Sequence, residues 1–178
     1  MGKLGGLGTT HVSNKARIPP LLILAALVVA LPGPARAETS GLVVSVRDGD
    51  TLTVLGPNKQ RHKIKLAGID APEKGQASGY RSKESLANMV YDRDVLIEGT
   101  QKDRHGRLVA KVFVDGHDIG LEQVRTGLAW WCRACAGELT PEDRVVYELA
   151  EKTAREQKLR LWRDPKPVPP WDWREQKR

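Results

Sequence analysis

The chain has 178 residues, two cysteines and a formal net charge of +7. That length points to one compact domain rather than several, and two cysteines limit any disulfide framework to a single bridge. Four of the 29 basic residues and none of the 22 acidic ones lie before residue 38. Residues 38–178 therefore carry only a modest positive excess, which permits nucleic-acid binding without requiring it.

Residues 1–37 read as a secretory signal peptide. Lys3, Lys15 and Arg17 give a positive start, Ile18 to Leu31 is an apolar run of 14 residues, and Ala35-Arg36-Ala37 is an A-x-A cleavage site. A membrane anchor is the competing reading. A spanning helix needs about 20 apolar residues, and this run is shorter and contains Pro19 and Pro20. The expected organisation is a leader over 1–37, a domain over 38–164 and a proline-rich tail over 165–178. Localisation is expected to be secreted or periplasmic.

After the leader, Gly41 to Val46 is β-branched and reads as a strand. Asp48-Gly49 is a turn signal, and Asp50 to Leu55 alternates Thr51 and Thr53 with Leu52 and Val54. Gln60 to Ile69 predicts a third strand, with Ile64 and Leu66 on one face and Arg61, Lys63 and Lys65 on the other. Arg81 to Tyr91 has helical spacing. Val95 to Ile97 and Leu108 to Val114 are a fourth and a fifth strand, and Leu121 to Thr126 is a short helix stopped at Gly127. Thr140-Pro141-Glu142-Asp143 is a capping box with proline at the first helical position, opening a long helix to about Lys158. The tail RDPKPVPPWDWREQKR is read as irregular. Five strands and about three helices predict an α+β fold, a five-stranded OB-type barrel with helices packed outside.

Two stretches carry acids that have both a structural reading and a chemical one. Structurally, Asp48 is part of the hairpin turn and Asp70 a cap for the turn that follows. In Val46-Arg-Asp-Gly-Asp50-Thr-Leu52, Gly49 already serves the turn. In Leu66-Ala-Gly-Ile-Asp70-Ala-Pro-Glu73, Asp70 ends an apolar run. If strands two and three pair, Asp50 and Asp70 approach each other and repel unless a cation sits between them. Calcium takes six to eight oxygens, backbone carbonyls included, so the Ala71 carbonyl is a candidate third ligand. Glu73, after a rigid proline, is a candidate to orient or deprotonate a water. Lys65 and Arg107 are candidates to stabilise charge on a phosphoryl group. Cys132 and Cys135 leave three readings: a local disulfide, a redox pair, disfavoured because no βαβ pattern surrounds it, and a zinc site, disfavoured because no second ligand pair exists.

VRDGDTLTV, IKLAGIDAPEKGQ, DRHGRLVAKVF and VRTGLAWW, in that order, resemble the thermonuclease (staphylococcal-nuclease-like) family, and LWRDPKPVPPWDWR looks like the tail of its secreted bacterial members. The resemblance covers about residues 41–173. It implies an OB-type barrel with three helices and calcium-dependent hydrolysis of DNA and RNA to 3′-phosphate ends, by a protein expected to be monomeric. It matches Asp50, Asp70 and Ala71 to the calcium ligands, Glu73 to the water-activating acid, Arg107 to a phosphate-binding arginine, and Arg104 and His105 to the contacts with a terminal phosphate. Two positions depart. Lys65 stands where the family has a catalytic arginine, keeping the charge and losing the planar fork. Arg133 and Cys135 fall near the family's base-holding tyrosines, with Trp130 and Trp131 just before them, and Trp130 is a candidate to stack on a base. The alternative reading is an OB-type nucleic-acid-binding module with weakened catalysis.

Overall fold

The computed structural model describes residues 1, 2, 5 and 38–177. The predicted leader lies, apart from those first positions, outside the described residues. Among the described residues no helix is long and apolar enough to cross a membrane.

The strands are β1 (Glu38–Val46), β2 (Thr51–Leu55), β3 (Arg61–Leu66) and the two-residue β4 (Ile69–Asp70). Helix α1 (Gly79–Val90) follows, then β5 (Asp94–Lys102), β6 (Leu108–Val114) and β7 (His117–Asp118). Next come α2 (Ile119–Arg125), β8 (Trp130–Trp131), a 3-10 turn at Arg133–Glu138 and α3 (Pro141–Glu156). A second 3-10 turn, Arg160–Arg163, leads to α4 (Pro170–Glu175). The sheet order is β3-β2-β1-β5-β6-β7, and a parallel pairing of β3 with β6 closes it, leaving β7 outside the ring. β1, β2, β3, β5 and β6 thus form a closed five-stranded barrel, the expected OB-type α+β architecture.

Period-two alternation decides what fills it. Leu52 and Val54 of β2, Ile64 and Leu66 of β3, and Ala110 and Val112 of β6 are all buried in the core. Leu86 and Val90 of α1, Ile119 and Val124 of α2, and Tyr147 of α3 pack onto it. A second cluster, Trp130, Ala154, Leu161 and Trp162, lies under α3. The capping box holds: the Thr140 hydroxyl accepts from the Asp143 amide at 3.1 Å, with Pro141 opening α3.

Three expectations are corrected. The third strand stops at Leu66 rather than Ile69. Gly68 takes φ +72, a left-handed turn that glycine adopts without strain, and Ile69–Asp70 leaves the barrel to pair with Trp130–Trp131 of β8. The fourth strand runs over Asp94–Lys102, well past Ile97, because it bends through an irregularity between Glu98 and Gln101 and so reaches both β1 and β6. The tail is not wholly irregular. Pro170 sits at the start of α4, where a missing N–H is harmless and its fixed φ suits a helix.

Gln123 of α2 is fully buried and pins the β1–β2 turn. Its Nε2 donates to the Gly49 carbonyl at 2.7 Å and to the Ser82 carbonyl at 3.0 Å. Gln123→Leu leaves the buried Gly49 carbonyl without this donor, while the Ser82 carbonyl keeps its place in the α1 ladder, and should cost about 1–3 kcal/mol. Urea unfolding of the variant checks this, with a midpoint near wild type as the contrary result.

Candidate active site

One antiparallel pairing, one parallel seam and one close approach assemble the site. β2 pairs with β3 so that Thr51 lies opposite Lys65, and the parallel seam sets Lys65 beside Val109, two residues after Arg107. The acidic turn Asp48–Asp50 then folds onto the segment after β4. A Cβ on Gly49 would lie 1.8 Å from the Ser82 hydroxyl oxygen and 2.8 Å from the Ala71 Cβ. Glycine is thus needed here for space: it lets the turn dock against Ala71.

The docking brings the two predicted acids together. Asp50 and Asp70 are both buried, at 6% and 8% exposure. One oxygen of Asp50 (Oδ2) accepts from the Ala71 amide at 2.9 Å and lies 3.2 Å from the Lys65 ammonium, and the other accepts from the Thr51 hydroxyl at 2.8 Å. Lys65 Nζ also donates to the Ile69 carbonyl at 2.5 Å. Arg107 donates through Nε to Asp103 at 2.7 Å and through a terminal nitrogen to the Thr51 hydroxyl at 3.2 Å. A hydrogen-bonded line Arg107–Thr51–Asp50 therefore joins the arginine to the acidic centre. Glu73 stands at the rim with its side chain 39% exposed.

Arg104 and His105 sit exposed on the turn between β5 and β6, with Arg104 Nε donating to His105 Nε2 at 3.2 Å. Trp130 is corrected. It is 3% exposed and packed edge-on to Trp162 at 5.3 Å and Trp171 at 6.4 Å, so its ring faces other tryptophans and is not presented to a base. Cys132 and Cys135 form a disulfide, the local bridge among the three readings. Among the described residues no group of three or more His, Cys, Asp or Glu side chains is arranged to hold a metal ion. The donor set on offer is two carboxylates and main-chain oxygen.

Sequence reasoning missed Arg174. Its guanidinium donates to both oxygens of Asp70, at 3.2 and 2.6 Å, and to Glu73 at 2.8 Å. It lies 104 residues beyond Asp70 in a tail read as irregular. The available signal was Pro170 as a helix start, with Trp171 and Arg174 three residues apart. Gln76 was also missed. It accepts from the Glu73 amide at 3.0 Å and donates to the Val168 carbonyl at 2.6 Å, tying the tail to the Glu73 loop.

The charges are unevenly compensated. Burial would push the Asp50 carboxyl up, but the Lys65 ammonium, the Ala71 amide and the Thr51 hydroxyl together hold it below the usual carboxylate range. Burial wins at Asp70, whose carboxyl is raised despite Arg174 and Lys65, and the Asp50 charge adds to the rise. Burial, then the charge of Asp50, pushes Asp48 up to about 6. These are like charges held close in a poorly solvated place.

Residues 63–164 match the family described as staphylococcal nuclease homologue. The chain belongs to this family. A protein of Haemophilus influenzae described as an uncharacterized endonuclease is 34% identical over 94% of this chain and 89% of its own length. A micrococcal nuclease of Shigella flexneri is 38% identical over 85% of this chain and 90% of its own. Protein ParB of Escherichia coli is 40% identical over 85% and 86%. The protein is accordingly a phosphodiester hydrolase, a nuclease acting on nucleic acid.

A raised carboxyl pKa penalises folding once the unfolded chain has ionised. For Asp48 the penalty is absent below about pH 4, grows as pH rises from 3.8 to about 6, and is full above that. In chelator, Asp48→Asn should therefore stabilise the protein at pH 7 by about 2 kcal/mol and have no effect below about pH 4. Thermal unfolding across that pH range checks it, and an advantage that persists at pH 3.5 contradicts it.

Proposed function

We propose that the protein is an exported, monomeric, calcium-dependent nuclease that cleaves DNA and RNA with little sequence preference and leaves 3′-phosphate ends. The observation that carries the reading is the convergence of Asp50 and Asp70, two buried carboxylates close enough for each other's charge to count. The donors are all oxygen, which suits a hard cation such as calcium. Asp50, Asp70 and the Ala71 carbonyl would hold it, with water completing the shell. A calcium ion bound there supplies positive charge to a phosphoryl oxygen.

The chain's own residues account for the rest. Glu73, at the rim, accepts a proton from a water that attacks phosphorus. The bond to the 5′ oxygen breaks, that oxygen leaves and takes a proton from solvent water to become a 5′-hydroxyl, and the phosphate stays on the 3′ side. Lys65 on β3 and Arg107 immediately before β6 face the charge that builds on the phosphoryl oxygens. Arg104 and His105, exposed on the β5–β6 turn, contact the terminal phosphate of the nucleotide. Export rests on the leader read from residues 1–37, and the disulfide Cys132–Cys135 is in keeping with an oxidising compartment.

The weakened-module alternative rests on Lys65, which is hydrogen-bonded into the protein and lacks the arginine fork. Cleavage of plasmid and single-stranded DNA with calcium, chelator and end-group analysis separates the readings. Calcium-dependent product with 3′-phosphate ends is expected, and salt-sensitive binding without product favours the module. Glu73→Gln should lower kcat by about 100-fold or more; turnover near wild type removes Glu73 from the mechanism. Lys65→Arg should raise kcat, by up to about tenfold, and a fall in kcat would mean that the lysine suits this site better.

A further inference from the structure

The C-terminal helix is short, and its seat is specific. Trp171 and Arg174 are three residues apart and share a face of α4. Trp171 lies edge-on to Trp130 at 6.4 Å, and Trp130 is the β8 residue paired with Asp70 of β4. Docking one indole on the other therefore sets Arg174 over Asp70. Gln76 adds a second tie, holding the Val168 carbonyl and the Glu73 amide with the two ends of one side chain. The guanidinium then engages both Asp70 oxygens and Glu73. Asp70 and then Glu73 hold it protonated more firmly than an ordinary arginine.

An arginine that takes both oxygens of a carboxylate leaves little for another cation, because the fork matches the carboxylate's lone pairs. Asp50 is compensated from within the barrel, by Lys65 on β3. Asp70 is compensated mainly from outside it, by a tail residue. We propose that Arg174 is a tethered counter-ion that competes with the divalent cation for Asp70, so that the C-terminal helix sets the cation affinity of the active site. The inference rests on the reading of Asp50 and Asp70 as the cation site. When a divalent ion binds, the arginine must release at least one Asp70 oxygen. With Trp171 and Gln76 still seated it stays beside the site and returns when the ion leaves, since rebinding is intramolecular. The apparent affinity for the ion is lowered in proportion to the fraction of molecules in which Asp70 is free.

Calcium titration calorimetry on the full chain tests this, with wild type, Arg174→Gln, Arg174→Lys and Asp50→Asn compared. Arg174→Gln keeps length and stem and removes the charge. It should bind calcium about tenfold tighter than wild type or better. Arg174→Lys should fall between the two, because a point charge cannot span both oxygens, and Asp50→Asn should abolish the binding. An arginine with only a structural role would lower the melting temperature on substitution and leave calcium affinity unchanged or weaker. If wild type binds calcium through Asp50 and Arg174→Gln shows no tightening, the competition is wrong and the calcium reading stands. If neither protein binds calcium in an Asp50-dependent way, both are wrong.

Discussion

Everything in the site follows from two carboxylates sunk at one end of a barrel within reach of each other's charge. Burial disfavours the ionised form of each, and each makes the other harder to ionise. The fold answers with cations and hydrogen bonds drawn from separate elements. Asp50 receives Lys65 from β3, the Ala71 amide and its neighbour Thr51, and its carboxyl is held below the usual range. Asp70 receives chiefly Arg174, whose side chain is about half exposed to water, and its carboxyl is raised. The acid served from inside the barrel is well compensated, and the acid served from the tail is not.

The barrel makes this concentration of charge possible because its closure is unusual among its pairings. Four of its five strand pairs are antiparallel, and the seam between β3 and β6 is parallel. A parallel seam brings the start of β6, and with it Arg107, alongside the strand that carries Lys65. Gly49 supplies the other half. Any side chain there would collide with Ser82 and Ala71, and the acidic turn would stand off from Asp70. Gln123, reaching from α2 to the Gly49 carbonyl, holds that approach from beneath.

Local pattern made the barrel legible before the coordinates. The alternation in β2, β3 and β6 is clean, Thr140-Pro141 caps a helix by chemistry alone, and Leu108–Val114 has the predicted bounds. The approach of Asp50 to Asp70 was expected from the pairing of β2 with β3, but that pairing ends at Thr51 and Lys65. Asp70 arrives through the Gly68 turn and the β4–β8 pairing, and the Ala71 amide ties it to Asp50. Features that depend on distant partners were not legible. Gly68 could be continued as strand on propensity; its left-handed turn appears only with β8 waiting to pair with Ile69–Asp70. Trp130 looked free to stack because nothing local says that Trp162 and Trp171 enclose it. Arg174 was invisible for the same reason: four prolines argued for an irregular tail, and its seat is built by residues about 100 positions earlier.

The cations of the site are not equally free to meet a phosphate. Lys65 is a compact ammonium with three donors, and it has partners for all of them: the Leu66 carbonyl, the Ile69 carbonyl and Asp50. To face substrate it must surrender at least one, and surrendering Asp50 exposes a buried charge. Arg107 spends Nε on Asp103 and one terminal nitrogen on Thr51. Its other terminal nitrogen makes no further hydrogen bond among the described residues, and its main-chain anchor to Asp103 holds the side chain's origin fixed. An arginine held at two points with one nitrogen to spare is preorganised in the sense that matters for charge stabilisation. Lys65 therefore braces the acidic centre, and in the proposed reaction the greater share of phosphate recognition would fall to Arg107.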